Sequence, residues 1–252
     1  MSVAAEQMTV CRIVMKKLSI FDLDVTLANT LESIAWCTNR ALADFGYEPL
    51  SAQKIKKFIG NGARMQTIRS LREAGDKESA PVEGYLDDDG KNTVPLHLET
   101  VLERYMEYFK EDCMYKVAPY EGILNMLDAL KEKGVKLAVF SNKPHPNTVS
   151  VIELIFGEGV FDAVQGQLPE VPKKPAPDGV YAIIQRLQNT FEMQISPEEV
   201  LYVGDSGVDM DTGKAAGAFT VGVCWGFRDS EELLEHGADA LIRTPEELLA
   251  YL

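Results

Sequence analysis

Apolar residues recur in two rhythms along this chain, and the two occupy different stretches. From Val135 onward, short apolar runs at 137–140, 163–166, 200–203, 220–223 and 240–242 alternate with helically spaced segments at 122–133, 178–191 and 209–216. Short runs rich in β-branched and aromatic residues suit buried strands, whereas apolar positions three and four apart mark one face of a helix. Their alternation predicts a parallel sheet with helices on both faces. Ser196-Pro197-Glu198-Glu199 and Thr244-Pro245-Glu246-Glu247 each supply a cap, an early proline and a glutamate, so a helix start is expected at both.

Another buried strand is expected at Leu18–Phe21, but the stretch after it breaks the rhythm. Residues 30–118 carry helical spacing at 31–45, 52–58, 64–74 and 96–110 and no strong strand pattern. The economical reading is an all-helical module inserted into a Rossmann-like α/β core. The core would comprise residues 15–29 and 119–252 and the module residues 30–118, with joints at 28–30 and 117–122. Within the module, Leu86-Asp87-Asp88-Asp89-Gly90 reads as a solvated acidic loop, since it lacks the spacing of a calcium loop. Residues 1–14 hold Glu6 and Arg12 and no long apolar stretch, so a loose extension is expected there rather than a signal peptide.

Charge narrows the partners. The 252 residues include 39 acidic and 25 basic side chains, a formal net charge of −14. That balance argues against nucleic acid and anionic membranes. An anionic ligand would need a bound cation or a few local positive groups. At 46% hydrophobic the chain can build a packed core. Cys11, Cys37, Cys113 and Cys224 show neither zinc nor disulfide spacing, so free thiols in a reducing, cytoplasmic setting are expected. No apolar run approaches the roughly 18 residues of a membrane-spanning helix. Monomer and homodimer both stay open.

The first strand runs into Asp22-Leu23-Asp24. Carboxylates are rarely buried unless paired or metal-bound, so two at a strand's carboxyl end suggest a cation site with a nucleophile. The plainer alternative is an acidic turn. Ser141-Asn142-Lys143 and Gly204-Asp205-Ser206-Gly207-Val208-Asp209 also come directly after apolar runs, and a proline-stiffened loop carries Lys174-Pro175-Ala176-Pro177. In an open parallel sheet, ligands sit beyond the strands' carboxyl ends, where Asp22, Ser141 and Asp205 can converge.

In order and in kind, these four motifs resemble those of the haloacid dehalogenase-like phosphohydrolases, and the resemblance spans the chain from about Met15. It implies that Asp22 attacks phosphorus to form an aspartyl-phosphate, and that Asp24 acts as general acid and then general base. It implies Mg²⁺ held by one oxygen of Asp22, the backbone carbonyl of Asp24 and Asp205, with Asp209 behind them or paired with Lys174. Thr26 would brace the loop. Ser141 and the Asn142 amide would bind phosphate oxygens, and Lys174 would neutralise nucleophile and phosphate. With an ordinary carboxyl pKa near 4, Asp22 is expected to be ionised at neutral pH without special help. The inserted module would be the helical cap that such enzymes carry.

Two positions depart from the family pattern. The usual Gly after the second Asp is Val25, which resists positive φ, so the loop is expected to hold a conformation that a β-branched residue accepts. Asn29 stands where many relatives have Asp, a change expected to matter little. In the module, Phe58-Ile59-Gly60-Asn61-Gly62-Ala63-Arg64-Met65 resembles the glycine-containing cap loop of phosphoglycolate phosphatases. Arg64 could pair there with a substrate carboxylate, or be a surface arginine at a helix start. The function implied is a Mg²⁺-dependent phosphatase of small phosphorylated metabolites, with the cap setting specificity. A sugar-phosphate mutase would need an assisting cap group, for which His97 is the module's only histidine. A catalytically silent binding protein on the same fold is favoured by Val25 alone.

Overall fold

A computed structural model describes residues 15–76, 79–82 and 86–252; the extension expected at 1–14 lies outside the described residues. Strand β1 (Leu18–Phe21) is followed by a two-residue strand, β2 (Ala28–Asn29). Helices α1 (Leu31–Asp44), α2 (Ala52–Lys56) and α3 (Ala63–Glu73) come next, then a hairpin of β3 (Ser79–Pro81) with β4 (Thr93–Pro95), then α4 (Leu98–Asp112). Strand β5 (Ala118–Pro119) brings the chain back and pairs antiparallel with β2, so the helical insertion leaves and rejoins at one narrow neck. Beyond it the chain alternates through α5 (Ile123–Glu132), β6 (Lys136–Pro144), α6 (His145–Phe156), β7 (Ala163–Gln167), α7 (Asp178–Phe191) and β8 (Val200–Gly204). It closes with α8 (Gly207–Ala216), β9 (Phe219–Val223), α9 (Ser230–Glu235) and β10 (Ala240–Ile242).

Six strands form one parallel sheet in the order β10-β9-β8-β1-β6-β7. The chain builds outward from β1 through β6 and β7, then crosses back to build β8, β9 and β10 on its other side. The crevice beside β1 is therefore the switch point where ligands of open α/β sheets bind.

Alternation along the strands explains why both faces are covered. Leu18, Ile20, Ala138, Phe140, Val200 and Tyr202 point to one face and pack with Val180, Ile183 and Leu187 of α7. Phe21, Leu137, Val139, Leu201 and Val203 point to the other, joining Met126, Leu127 and Leu130 of α5. That second cluster runs on into α1, α3 and α4, so the insertion shares a hydrophobic core with the sheet.

Three local expectations need correction. Helices do start after Ser196 and Thr244, and Ser196 with Glu199 closes the expected capping box, but both are 3-10 helices, Pro197–Glu199 and Pro245–Tyr251, rather than α-helices. At the first, β8 begins at Val200 and takes the backbone before an α-turn can close. The insertion contains a hairpin that its three-residue strands were too short to announce. The acidic loop is exposed at Leu86, Asp88, Asp89 and Gly90, as a solvated loop would be, but not at Asp87. Asp87 is buried, accepts hydrogen bonds from the amides of Asp89 (3.0 Å) and Lys91 (2.8 Å), and pairs with Arg72 at 2.7 Å. Asp89 meets Arg69 at 2.6 Å, and Asp88 meets Lys173 of the β7–α7 loop at 2.7 Å. Each like charge finds its own cation. Among the described residues the cysteines are free, and no helix is long and apolar enough to cross a membrane.

Candidate active site

Asp22 comes directly after β1, and its N–H donates to Val203 O at 2.9 Å, extending the ladder one residue past the strand. Asp205 stands at the end of β8 in the same way. Ser141, Asn142 and Lys143 lie on the last part of β6, where the register with β7 shifts between Phe140 and Pro144. Lys174 arrives on the β7–α7 loop. Asn142 pins it: Oδ1 accepts from Lys174 N–H at 2.8 Å, while Nδ2 donates to Lys174 O at 3.3 Å and to Gly60 O of the insertion at 3.0 Å. The Asn142 side chain is thus committed to joining three segments, and its backbone amide is what remains for a ligand. Ser141 Oγ accepts from Lys143 N–H at 3.2 Å and lines the cavity.

Lys174 is 2% exposed, and its Nζ donates to Asp22 Oδ1 and to Asp209 Oδ1, each at 2.7 Å. Asp209 sits in the first turn of α8, where its Oδ2 accepts from Ser206 N–H at 3.2 Å, closing a capping box, and from Ser206 Oγ at 2.6 Å. Asp205 Oδ2 accepts from Phe227 N–H at 2.9 Å, and Thr26 Oγ1 donates to Oδ1 at 3.4 Å. Gly226 makes that approach possible, since a Cβ there would stand 2.2 Å from Asp205 Cβ.

Oxygens of Asp22, Asp205 and Asp209 gather within 4.8 Å of one another. Burial raises the Asp22 carboxyl well above the usual range; Lys174 opposes the shift, and Asp209, Asp205 and Asp24 add to it. Burial, with Asp209, pushes Asp205 up to about 7. Burial also works against the Lys174 ammonium, but Asp209 and Asp22 overcome it and hold its pKa well above the ordinary value. Ionisation of Asp22, which an isolated carboxyl would reach without help, is opposed here by burial and by the like charge around it. Three carboxylates against one ammonium leave a formal −2 in this cluster. A hard divalent cation with oxygen ligands fits both the donor set and that excess.

Asp24 lines the same cavity but pairs with a different cation. Both its oxygens are held by Lys143 Nζ, at 2.7 and 2.8 Å, with 5% of the Lys143 side chain and 13% of that of Asp24 exposed. The ammonium also lies 4.7 Å from the Phe109 ring centroid of α4. Sequence reasoning assigned Lys143 no role. Its one signal was a second lysine directly after the Ser-Asn pair, two positions from Ser141 and so on the same side of the strand.

Val25 overturns the expectation for its loop. It adopts φ +70°, the left-handed region that favours glycine, and its side chain is fully buried. The turn is closed by Val25 N–H donating to Ala28 O at 2.7 Å. Left-handed geometry costs an L-residue about 1–2 kcal/mol. Burying a valine contributes about 1.5–3 kcal/mol, enough to offset it. Asn29 Oδ1 accepts from Leu31 N–H at 3.3 Å, the kind of bond an Asp would also make there.

The insertion roofs the cavity above these groups. Gly62 (φ +88°) starts α3 so close to the sheet that a Cβ would lie 3.2 Å from Asn142 O. Ala63 and Gln66, three apart on α3, face the cavity, whereas Arg64 does not line it. One residue further round the helix, Arg64 is half exposed and pairs with Glu99 of α4 at 2.7 Å. It occupies the surface-arginine alternative, and the carboxylate contact considered for it has no support in its position. His97 is also outside the cavity, with Nδ1 3.0 Å from Tyr47 Oη.

Comparison with known proteins places this arrangement. A family model described as haloacid dehalogenase-like hydrolase matches residues 19–223. The phosphoglycolate phosphatase of Haemophilus influenzae is 31% identical over 238 residues, covering 94% of this chain and 98% of that protein. The phosphoglycolate phosphatase of Aquifex aeolicus is 30% identical over 208 residues, covering 82% of this chain and 84% of its own length. A crystal structure from Lactobacillus delbrueckii subsp. bulgaricus superposes with a TM-score of 0.80 at 30% identity, covering 94% of this chain and 99% of that one.

Proposed function

From the premise that this chain belongs to the haloacid dehalogenase-like hydrolase family, we propose that it is a Mg²⁺-dependent phosphatase of small phosphorylated metabolites. The observation that carries the reading is Lys174 shared between Asp22 and Asp209, in a cluster whose remaining charge a divalent cation would balance. Asp22, Asp205 and Asp209 offer side-chain oxygens for that ion, and the Asp24 carbonyl is a further candidate. Bound there, Mg²⁺ supplies charge neutralisation for the phosphoryl group and its nucleophile.

The chain's own groups account for the rest. A carboxylate oxygen of Asp22 attacks phosphorus, forming an acyl-phosphate as the bond to the leaving oxygen breaks. Asp24 gives that oxygen its proton and later takes one from the water that attacks the acyl-phosphate, which restores Asp22 and releases phosphate. Ser141 Oγ and the Asn142 amide bind phosphate oxygens. Lys174 keeps Asp22 oriented and offsets its charge. The insertion acts as a cap that excludes water and chooses the substrate.

The relatives' names put phosphoglycolate among the first substrates to try. A mutase reading gains nothing from His97, which lies away from the cavity. A silent binding protein is disfavoured because the buried Val25 side chain offsets its turn and both carboxylates are retained. Hydrolysis of an aryl phosphate with Mg²⁺, abolished by chelator and restored by added Mg²⁺, is the expected result. Turnover that persists in chelator would overturn the reading.

A further inference from the structure

The insertion's wall of the cavity carries no charged side chain among the described residues; its polar side chains are Gln66 and Tyr105, set among Ile34, Ile59, Met106 and Phe109. Gln66 is 3% exposed, and its Oε1 has no hydrogen-bond partner. A buried acceptor left unpaired costs free energy, so it marks a place where a donor belongs.

The surrounding network fixes which way this amide faces. Gln66 Nε2 reaches Thr38 Oγ1 at 2.7 Å and Ser70 Oγ at 3.4 Å. Both hydroxyls have already given their protons to backbone carbonyls, Thr38 to Ile34 O at 2.6 Å and Ser70 to Gln66 O at 2.8 Å. Their oxygens can only accept, so the amide must turn its NH₂ toward them. Neither Thr38 nor Ser70 lines the cavity, whereas Gln66 does. The carbonyl oxygen is thus the amide's free end. Tyr105, 6% exposed on α4, adds a second polar side chain to the same wall.

We propose that Gln66 Oε1 accepts a hydrogen bond from a substrate hydroxyl, so that this phosphatase prefers phosphomonoesters of polyols or sugars over phosphoglycolate, which has no hydroxyl to donate. The proposal rests on the phosphatase reading above and refines its substrate class. A carboxylate directed at this wall would meet an acceptor and apolar groups rather than a cation. Arg228 lines the cavity on the core side, 3.5 Å from Glu232.

The test compares glycerol 3-phosphate with n-propyl phosphate, which differ only in the two hydroxyls, and with phosphoglycolate. An aryl phosphate serves as the general control, with Mg²⁺ throughout. In the wild type, kcat/KM should favour glycerol 3-phosphate over both others. In Gln66→Met, of similar size but without the acceptor, the glycerol-to-propyl ratio should fall about three- to tenfold, the size of one net hydrogen bond. Misfolding would depress both esters together and leave the ratio alone. An unchanged ratio, or a wild type that prefers phosphoglycolate, would overturn the proposal. If no ester, aryl phosphate included, is hydrolysed, the phosphatase reading fails by itself. Calorimetric binding of the same esters with Mg²⁺ then decides the hydroxyl preference, and equal affinities for glycerol and propyl phosphates would sink it.

Discussion

Lys143 Nζ holds both oxygens of Asp24, at 2.7 and 2.8 Å, although the two residues are 119 positions apart. A contact to both oxygens holds the carboxylate facing the ammonium, and so restricts the direction in which Asp24 can pass a proton. Lys143 is therefore a positioning residue. Lys143→Met should lower kcat on an alkyl phosphate by about 10–100-fold, part of what a general acid and base contributes. An aryl phosphate, whose leaving group needs less protonation, should lose less, and KM should move little on either. Equal losses on both esters would mean that Lys143 serves phosphate binding or the fold instead.

Asp22→Asn and Asp24→Asn should separate nucleophile from proton carrier. The first should abolish turnover, because an amide cannot form the acyl-phosphate. It also lowers the formal charge of the Lys174 cluster from −2 to −1, so its Tm in chelator should equal or exceed that of wild type. Asp24→Asn should slow turnover and accumulate phosphoenzyme. It leaves a nearly buried ammonium without its partner charge, so its Tm should fall. Near-native activity in Asp22→Asn would show the nucleophile to be misassigned.

Val25 sets two costs against each other at one position. Val25→Gly gives up a buried side chain but relieves the φ of +70°, so its stability should stay within about 1 kcal/mol of wild type. Val25→Ala gives up most of the same burial and keeps the unfavourable backbone. Alanine should therefore be the more destabilising replacement, the reverse of the order expected where φ is negative. Urea midpoints of the two variants decide it; alanine at or above glycine would mean that the turn relaxes when the side chain shrinks.

Asp87 gives the insertion a pH-dependent clasp. Burial works to raise its carboxyl, but hydrogen bonds from the Lys91 amide and Arg72, with that of Asp89, outweigh this and hold it below the usual value. A folded pKa below the unfolded one contributes stability above the unfolded pKa, near 4, and loses it as pH falls through the folded value. Asp87→Asn should lower Tm by about 3–8 °C at neutral pH. The gap from wild type should narrow once pH drops below about 4. A gap that stayed constant down to pH 3 would assign the effect to packing rather than charge.

Short-range pattern determined the sheet. The strand at Leu18–Phe21 and the later runs were legible because strands buried on both faces must be apolar at nearly every position, a constraint that each segment carries by itself. The motifs carrying Asp22, Ser141 and Asp205 were legible for a related reason, since each follows a change from apolar to polar residues, whereas that of Lys174 was marked by its prolines. The helices between Leu31 and Asp112 were legible from their spacing, but the hairpin among them was not, because strands of three residues are too short to show an alternation.

Tertiary structure alone decided the pairings. Only in the fold does Lys143 meet Asp24, or Asn142 join Gly60 to Lys174. The rotation that turns Arg64 to Glu99 and Gln66 to the cavity is about 100° per residue, too fine for helix boundaries read from sequence to resolve. The upward pull on the Asp22 pKa was likewise beyond the sequence. A carboxyl's own chemistry sets a pKa near 4, but burial and the carboxylates of Asp209, Asp205 and Asp24 raise it, the first two arriving from a distant segment.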